Sequence, residues 1–129
     1  MTVRQKMSEA ELEVMGAVWR CGGTVTSAQV HEELSHTREW KLNTVITFLN
    51  RLEDKGLIRA EKQGRGRSAR YIARVTEAEY RRLETQSFLS EVHHGSVASL
   101  MTALCGDGLL DQEALQELRS WFDGLPDEE

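Results

Sequence analysis

Four apolar residues, Val45, Phe48, Leu49 and Leu52, recur at i, i+3, i+4 and i+7 between Leu42 and Lys55, and no other stretch constrains the fold as tightly. That spacing lays all four along one stripe of a helix. At about 100° per residue, the opposite face carries Asn43, Thr47, Asn50 and Asp54, with Thr44 and Arg51 on its shoulder. No acid occurs before Glu53, so the N-terminal half of the outer face is small, polar and uncharged apart from Arg51. Gly56 follows Lys55 as the glycine expected just past a helix end. The stripe demands a core on one side and leaves the other side free.

The flanking segments supply that core. Ser8-x-x-Glu11 is a capping box opening a helix with Leu12, Met15, Val18 and Trp19 at helical spacing, closed by Gly22-Gly23. Val25, an isolated β-branched residue between breakers, predicts a short strand. Thr26-x-x-Gln29 is a second capping box, and Val30 and Leu34 are the buried side of the helix it starts. A polar link from Ser35 to Lys41 leads to the third helix. After Gly56, strand-like runs over Leu57–Gln63 and Ala69–Val75 flank the turn Gly64-Arg65-Gly66-Arg67-Ser68, a β-hairpin with an arginine-bearing tip. Helix, helix, helix, hairpin within 75 residues is the winged-helix order. From Thr76 onward the chain reads as helix: a capping box at Thr76-x-x-Glu79, a short helix near Ser96–Cys105 broken by Gly106 and Gly108, and a last helix near Asp111–Asp123. The expected fold is mostly α with a small β-hairpin: a winged helix-turn-helix domain over 1–75, then a helical dimerisation region over 76–129.

Charge divides the chain at the same place. The net charge is −5, but residues 1–75 hold 13 basic against 9 acidic side chains, and residues 76–129 hold 3 against 12. Between Lys55 and Arg74, seven cations (Lys55, Arg59, Lys62, Arg65, Arg67, Arg70, Arg74) meet one acid, Glu61. A basic half suits phosphates. The helix face suits the major groove: asparagine pairs bidentately with adenine, threonine offers a hydroxyl to a base and a methyl to thymine, and arginine grips guanine or phosphate. Arg65, Arg67 and Arg70 would sit where a wing meets backbone or minor groove. Taken singly, the helix face is also what any solvated helix shows, and the charged hairpin is also what protects a sheet edge. The near-exclusive use of positive charge beside a groove-suited helix favours DNA.

Thr44-Val45-x-Thr47-x-Leu49-x-Arg51-Leu52-x-x-Lys55-Gly56, with Glu9-Ala10-Glu11-Leu12-Glu13-Val14-Met15, Trp19, Trp40, the hairpin and the Ser99-Leu100 region, resembles the penicillinase-repressor (BlaI/MecI) family of winged-helix regulators. The resemblance covers nearly the whole chain. It implies a homodimeric transcriptional repressor on pseudo-palindromic, double-stranded operator DNA, often upstream of β-lactam-resistance genes. By position, Asn43, Thr44, Ile46 and Thr47 would fall at the groove and Arg51 near the backbone; Asn50 joins them from its place on the face. Ile46 departs from the family, where this slot can be basic. In antibiotic-responsive members a membrane sensor protease leads to cleavage at an Asn-Phe bond. The corresponding bond here is Ala103–Leu104, where both residues differ and Leu104 keeps an apolar group on the carboxyl side.

The second region offers Leu83, Phe88, Leu89, Val92, Leu100, Leu104, Leu115, Leu118, Trp121 and Phe122, more large apolar groups than so short a unit buries alone. A two-fold partner would cover them and set two recognition helices about 34 Å apart; folding back on the wing domain is the alternative. A different class also stays open, a winged-helix adaptor whose third helix binds protein. Metal binding is not expected. His93-His94 with Cys105, and His31 with His36, lack convergent spacing. No cofactor is implied either, since Gly64-Arg65-Gly66 is too short for a phosphate loop and no grouping of nucleophile, base and orienter points to an enzyme. Trp19 and Trp40 read as core. With two isolated cysteines, no export signal and no run near the roughly 20 apolar residues of a membrane span, the expected location is the cytoplasm, without membrane insertion.

Overall fold

The computed structural model describes residues 6–62, 69–106 and 108–127. Two compact units divide it, Met1–Glu84 and Thr85–Glu129. The first unit contains α1 (Glu9–Arg20), β1 (Thr24–Thr26), α2 (Ser27–Leu34), α3 (Leu42–Asp54), β2 (Ile58–Lys62) and β3 (Ala69–Ala73). A fourth helix, α4 (Glu77–Glu91), begins in the first unit and ends in the second, which also holds α5 (Val97–Gly106) and α6 (Gln112–Asp123). This is the mostly helical, winged-helix fold expected.

Local chemistry sets the helix ends. Ser8 and Thr26 accept the N–H groups of Glu11 and Gln29, whose side chains reach back to the cap N–H, so both capping boxes close. The Thr76 box closes likewise with Glu79. At the end of α1, Gly22 N–H donates to the Trp19 carbonyl and Gly23 N–H to that of Val18, a Schellman pair that needs the left-handed φ of +101° at Gly22. The end of α3 repeats it. Gly56 (φ +81°) and Leu57 donate to Glu53 and Leu52, and Leu57 packs its buried side chain in the core with Leu52.

Val25 does form a strand. It joins β3 as a third member of the sheet, in the order β1-β3-β2, with Val25 opposite Tyr71 and Ala60 opposite Tyr71 on the other side. Val25, Ile58 and Tyr71 share the buried face of this sheet, while Arg59, Glu61 and Arg70 lie on the other. Beneath the sheet the helices contribute Val14, Met15, Val18, Val30, Leu34, Val45, Leu49 and Leu52 to one core. Fully burying one such leucine stabilises the fold by about 1.5–3 kcal/mol.

Two expectations need correction. Leu12 is 44% exposed, because the buried stripe of α1 runs through Glu11, Val14, Met15 and Val18 instead. Phe48, Trp19 and Trp40 are half-buried at the rim of the core rather than within it. The first unit runs to Glu84. Tyr80 accounts for this extent: it is buried, its ring lies 6.1 Å from that of Trp19, and its hydroxyl accepts the Met7 N–H, so the first turns of α4 belong to the winged-helix core.

Candidate nucleic-acid interface

The face of α3 opposite the stripe is solvent-accessible as its pattern requires. Asn43, Thr47, Asn50 and Arg51 are exposed, and Thr44 and Ile46 half-buried on its two flanks. Val45, Leu49 and Leu52 hold the helix down from below. The first turn of α3 is unlike the starts of the other helices. Its N-cap, Lys41, makes no side-chain hydrogen bond to the helix, so the leading N–H groups keep their hydrogen-bonding capacity and their partial positive charge. One refinement concerns Thr47, whose hydroxyl donates to the Asn43 carbonyl at 3.0 Å. Its proton is therefore engaged within the helix, and the methyl group and the oxygen lone pairs are what it presents outward.

The segment leading into α3 is fixed by side chains far apart in sequence. His31 Nε2 hydrogen-bonds the Trp40 carbonyl at 2.9 Å. Arg38 grips Glu13 of α1 with two parallel hydrogen bonds, one from Nε at 2.8 Å, and stacks on Trp40 with 4.7 Å from guanidinium carbon to ring centre. The Arg38 guanidinium holds the Glu13 carboxyl below its usual range, and Glu13 raises Arg38 in return. At the other end of the helix, Lys55 Nζ donates to Glu11 at 2.6 Å and to the Lys6 carbonyl at 2.8 Å. Burial pushes the Glu11 carboxyl up, but the Lys55 hydrogen bond, the Ser8 N–H and the charges of Lys55 and Arg51 outweigh it and leave the group below its ordinary 4.5.

Of the other expected contact residues, Arg70 lies half-buried in β3 between Thr26 of β1 and Glu61 of β2. Arg65 and Arg67, at the expected hairpin tip, lie outside the described residues. In the second unit, Leu89, Leu100, Leu104, Leu115 and Leu118 are half-buried, and Phe88, Val92, Trp121 and Phe122 exposed, Trp121 by 59%. Leu83 is half-buried within the first unit. Ala103 and Leu104 are half-buried in α5.

His31 and His93 have local hydrogen-bond partners. His93 Nδ1 meets Ser99 Oγ at 2.8 Å, and among the described residues no three of His, Cys, Asp or Glu gather as metal ligands would. No helix among them is long and apolar enough to cross a membrane. Sequence spacing did not reveal the Glu11–Lys55 and Glu13–Arg38 pairs, since their partners lie 44 and 25 residues apart and bear no mutual period.

A three-helix core, a three-stranded sheet and an exposed, polar helix face together define a winged-helix protein of the DNA-binding class. Residues 7–123 match the penicillinase repressor family, and the chain belongs to that family of repressors. It is 32% identical over 113 residues to the penicillinase repressor of Bacillus licheniformis, covering 88% of this chain and 86% of that one. It is 28% identical over 115 residues to the methicillin resistance regulatory protein MecI of Mammaliicoccus sciuri, covering 89% and 91%. The solution structure of the DNA-binding domain of the repressor BlaI superposes with a TM-score of 0.50 at 36% identity, over 58% of this chain and 88% of that one.

Proposed function

We propose that the chain represses transcription by seating α3 in the major groove of operator DNA, as a homodimer with one recognition helix on each half of a pseudo-palindromic site. The observation that carries this is the exposed row Asn43, Thr47 and Asn50 on a helix clamped by its opposite stripe. These side chains read base edges, with Thr44 and Ile46 beside them. Arg51 and the hairpin arginines Arg65, Arg67 and Arg70 serve the backbone. The names of the relatives, a penicillinase repressor and a methicillin resistance regulator, support targets of the β-lactam-resistance kind. Such a protein works in the cytoplasm, where its operators are.

Dimerisation falls to the second unit. Among its described residues, none is fully buried, although α4, α5 and α6 carry Leu89, Leu100, Leu104, Leu115, Leu118, Trp121 and Phe122. A second copy supplies the missing cover. A cut at Ala103–Leu104, the bond to which the family resemblance points, would remove the chain from Leu104 onward and this cover with it, whichever protease made it; release without proteolysis is the alternative. Because that bond lies inside α5, the end of the helix must unwind before a protease reaches it.

The test is a salt-titrated binding assay with a duplex selected from a random pool by the intact protein, beside unselected duplex. Thr47→Ala or Asn50→Ala is expected to weaken the selected duplex by about 1–3 kcal/mol and the unselected one far less. Arg67→Ala is expected to weaken both alike and lower the salt slope by about one unit. Equal losses on both duplexes for Thr47→Ala would remove α3 as the reading element, and salt-independent binding would point to a protein adaptor.

A further inference from the structure

We infer that Phe48 and Trp40 are positioning residues that hold Arg51 in the attitude from which it meets the DNA backbone. The inference rests on the interface proposed above and adds the source of Arg51's orientation. Arg51 is the only cation within Leu42–Asp54, and two acids, Glu53 and Asp54, follow it after Leu52. Left to charge alone, the guanidinium would be drawn toward Asp54, one turn further along and away from the uncharged half of the face. It is not. Among the described residues no ion pair engages Arg51, and its guanidinium carbon lies 5.7 Å from the centre of the Phe48 ring, one turn toward the helix start. That direction is the one long helical side chains favour, and the ring face adds an attraction that a leucine would lack.

The Phe48 ring is itself held. Trp40 packs on it at 5.1 Å and 44°. Arg38 covers Trp40 at 4.7 Å, Glu13 of α1 grips Arg38, and His31 pins the Trp40 carbonyl. A continuous ladder, Glu13–Arg38–Trp40–Phe48–Arg51, thus runs from a core helix to the outer face of α3. A guanidinium stacked on a fixed ring loses less rotamer freedom when it docks on phosphate than one that sweeps the solvent. The two aromatics therefore act on DNA through Arg51, without touching the duplex.

A double-mutant cycle tests this on the full-length protein, with the selected and unselected duplexes as probes. Phe48→Leu is expected to lower affinity about two- to fivefold, the worth of an exposed cation–ring contact, and equally on both duplexes because a phosphate contact carries no sequence information. In the Arg51→Ala background the same change is expected to cost nothing further, and Phe48→Tyr, which keeps the ring, is expected to bind as the parent does. If Phe48→Leu unfolds the domain, Trp40→Leu enters the same cycle with the same expected coupling. Additive losses, or a loss confined to the selected duplex, would show that the ring merely shapes α3 and would overturn the inference while leaving the interface standing. No loss from Arg51→Ala alone would overturn both the backbone role of Arg51 and the ladder built on it.

Discussion

Glu11 serves two parts of the chain at once. It accepts the Ser8 N–H at 2.9 Å to close the start of α1, and it accepts Lys55 at 2.6 Å from the end of α3, with its side chain only 5% exposed. A carboxyl whose folded value is depressed contributes stability above its unfolded value and loses it as pH falls through the folded one. The contribution of Glu11 is thus fully present above pH 4.5 and fades below it. Glu11→Gln is expected to lower stability near neutral pH by about 1.5–3 kcal/mol, the range for a hydrogen bond to a charged group. Its difference from the parent is expected to shrink as the medium is acidified, followed by thermal melts at stepped pH. A difference constant from pH 7 to 3 would mean that the ionised form carries no special role. Leu12 makes the complementary point: its period admits burial, yet Glu11 takes the inward place because Lys55 waits there.

At the scale of elements, α3 trades stability for an open first turn. Serine, threonine or aspartate at an N-cap typically stabilises a helix by about 0.5–2 kcal/mol relative to a residue that cannot cap, and α1, α2 and α6 each use one. Lys41 forgoes this. Lys41→Asp is expected to raise the stability of the winged-helix unit by about 0.5–1 kcal/mol through capping and the helix dipole, while weakening binding to any duplex, since it brings a negative charge to the end that faces phosphate. Melting temperature and affinity moving in the same direction would contradict the assignment of that end to DNA. The clamp beneath is equally specific: Leu49→Ala, deleting a fully buried side chain, is expected to cost about 2–5 kcal/mol in a denaturant melt.

For the whole molecule, the unlike charges of the two units give opposite responses to salt. Residues 85–129, the second unit, carry 1 basic and 9 acidic side chains, so two copies brought together repel, and salt screens that repulsion. DNA binding releases counterions and weakens with salt. Sedimentation is expected to show self-association strengthening from low to physiological ionic strength while operator affinity falls. Truncation after Thr102 removes Leu104, Leu115, Leu118, Trp121 and Phe122. It is expected to abolish tight binding to a two-half-site operator, because each monomer then loses the effective concentration of its partner, and to leave the melt of the winged-helix unit in place. Equal affinity of truncated and intact chains for the full site would sever dimerisation from repression.

What the sequence determined by itself is local in origin. Capping boxes at Ser8, Thr26 and Thr76, the two glycine-terminated helices and the stripe Val45–Leu52 depend on residues within a turn or two of each other, so their chemistry is legible without the fold. The outer face of α3 was legible for the same reason, as the geometric complement of its stripe. What only the tertiary structure decided is pairing across distance. Glu11 with Lys55, Glu13 with Arg38, His31 with the Trp40 carbonyl and Trp19 with Tyr80 join segments that share no period. Tyr80 draws the start of α4 into the first unit. A charged or aromatic side chain finds its partner by position in the packed core, and that position exists only once the helices have come together.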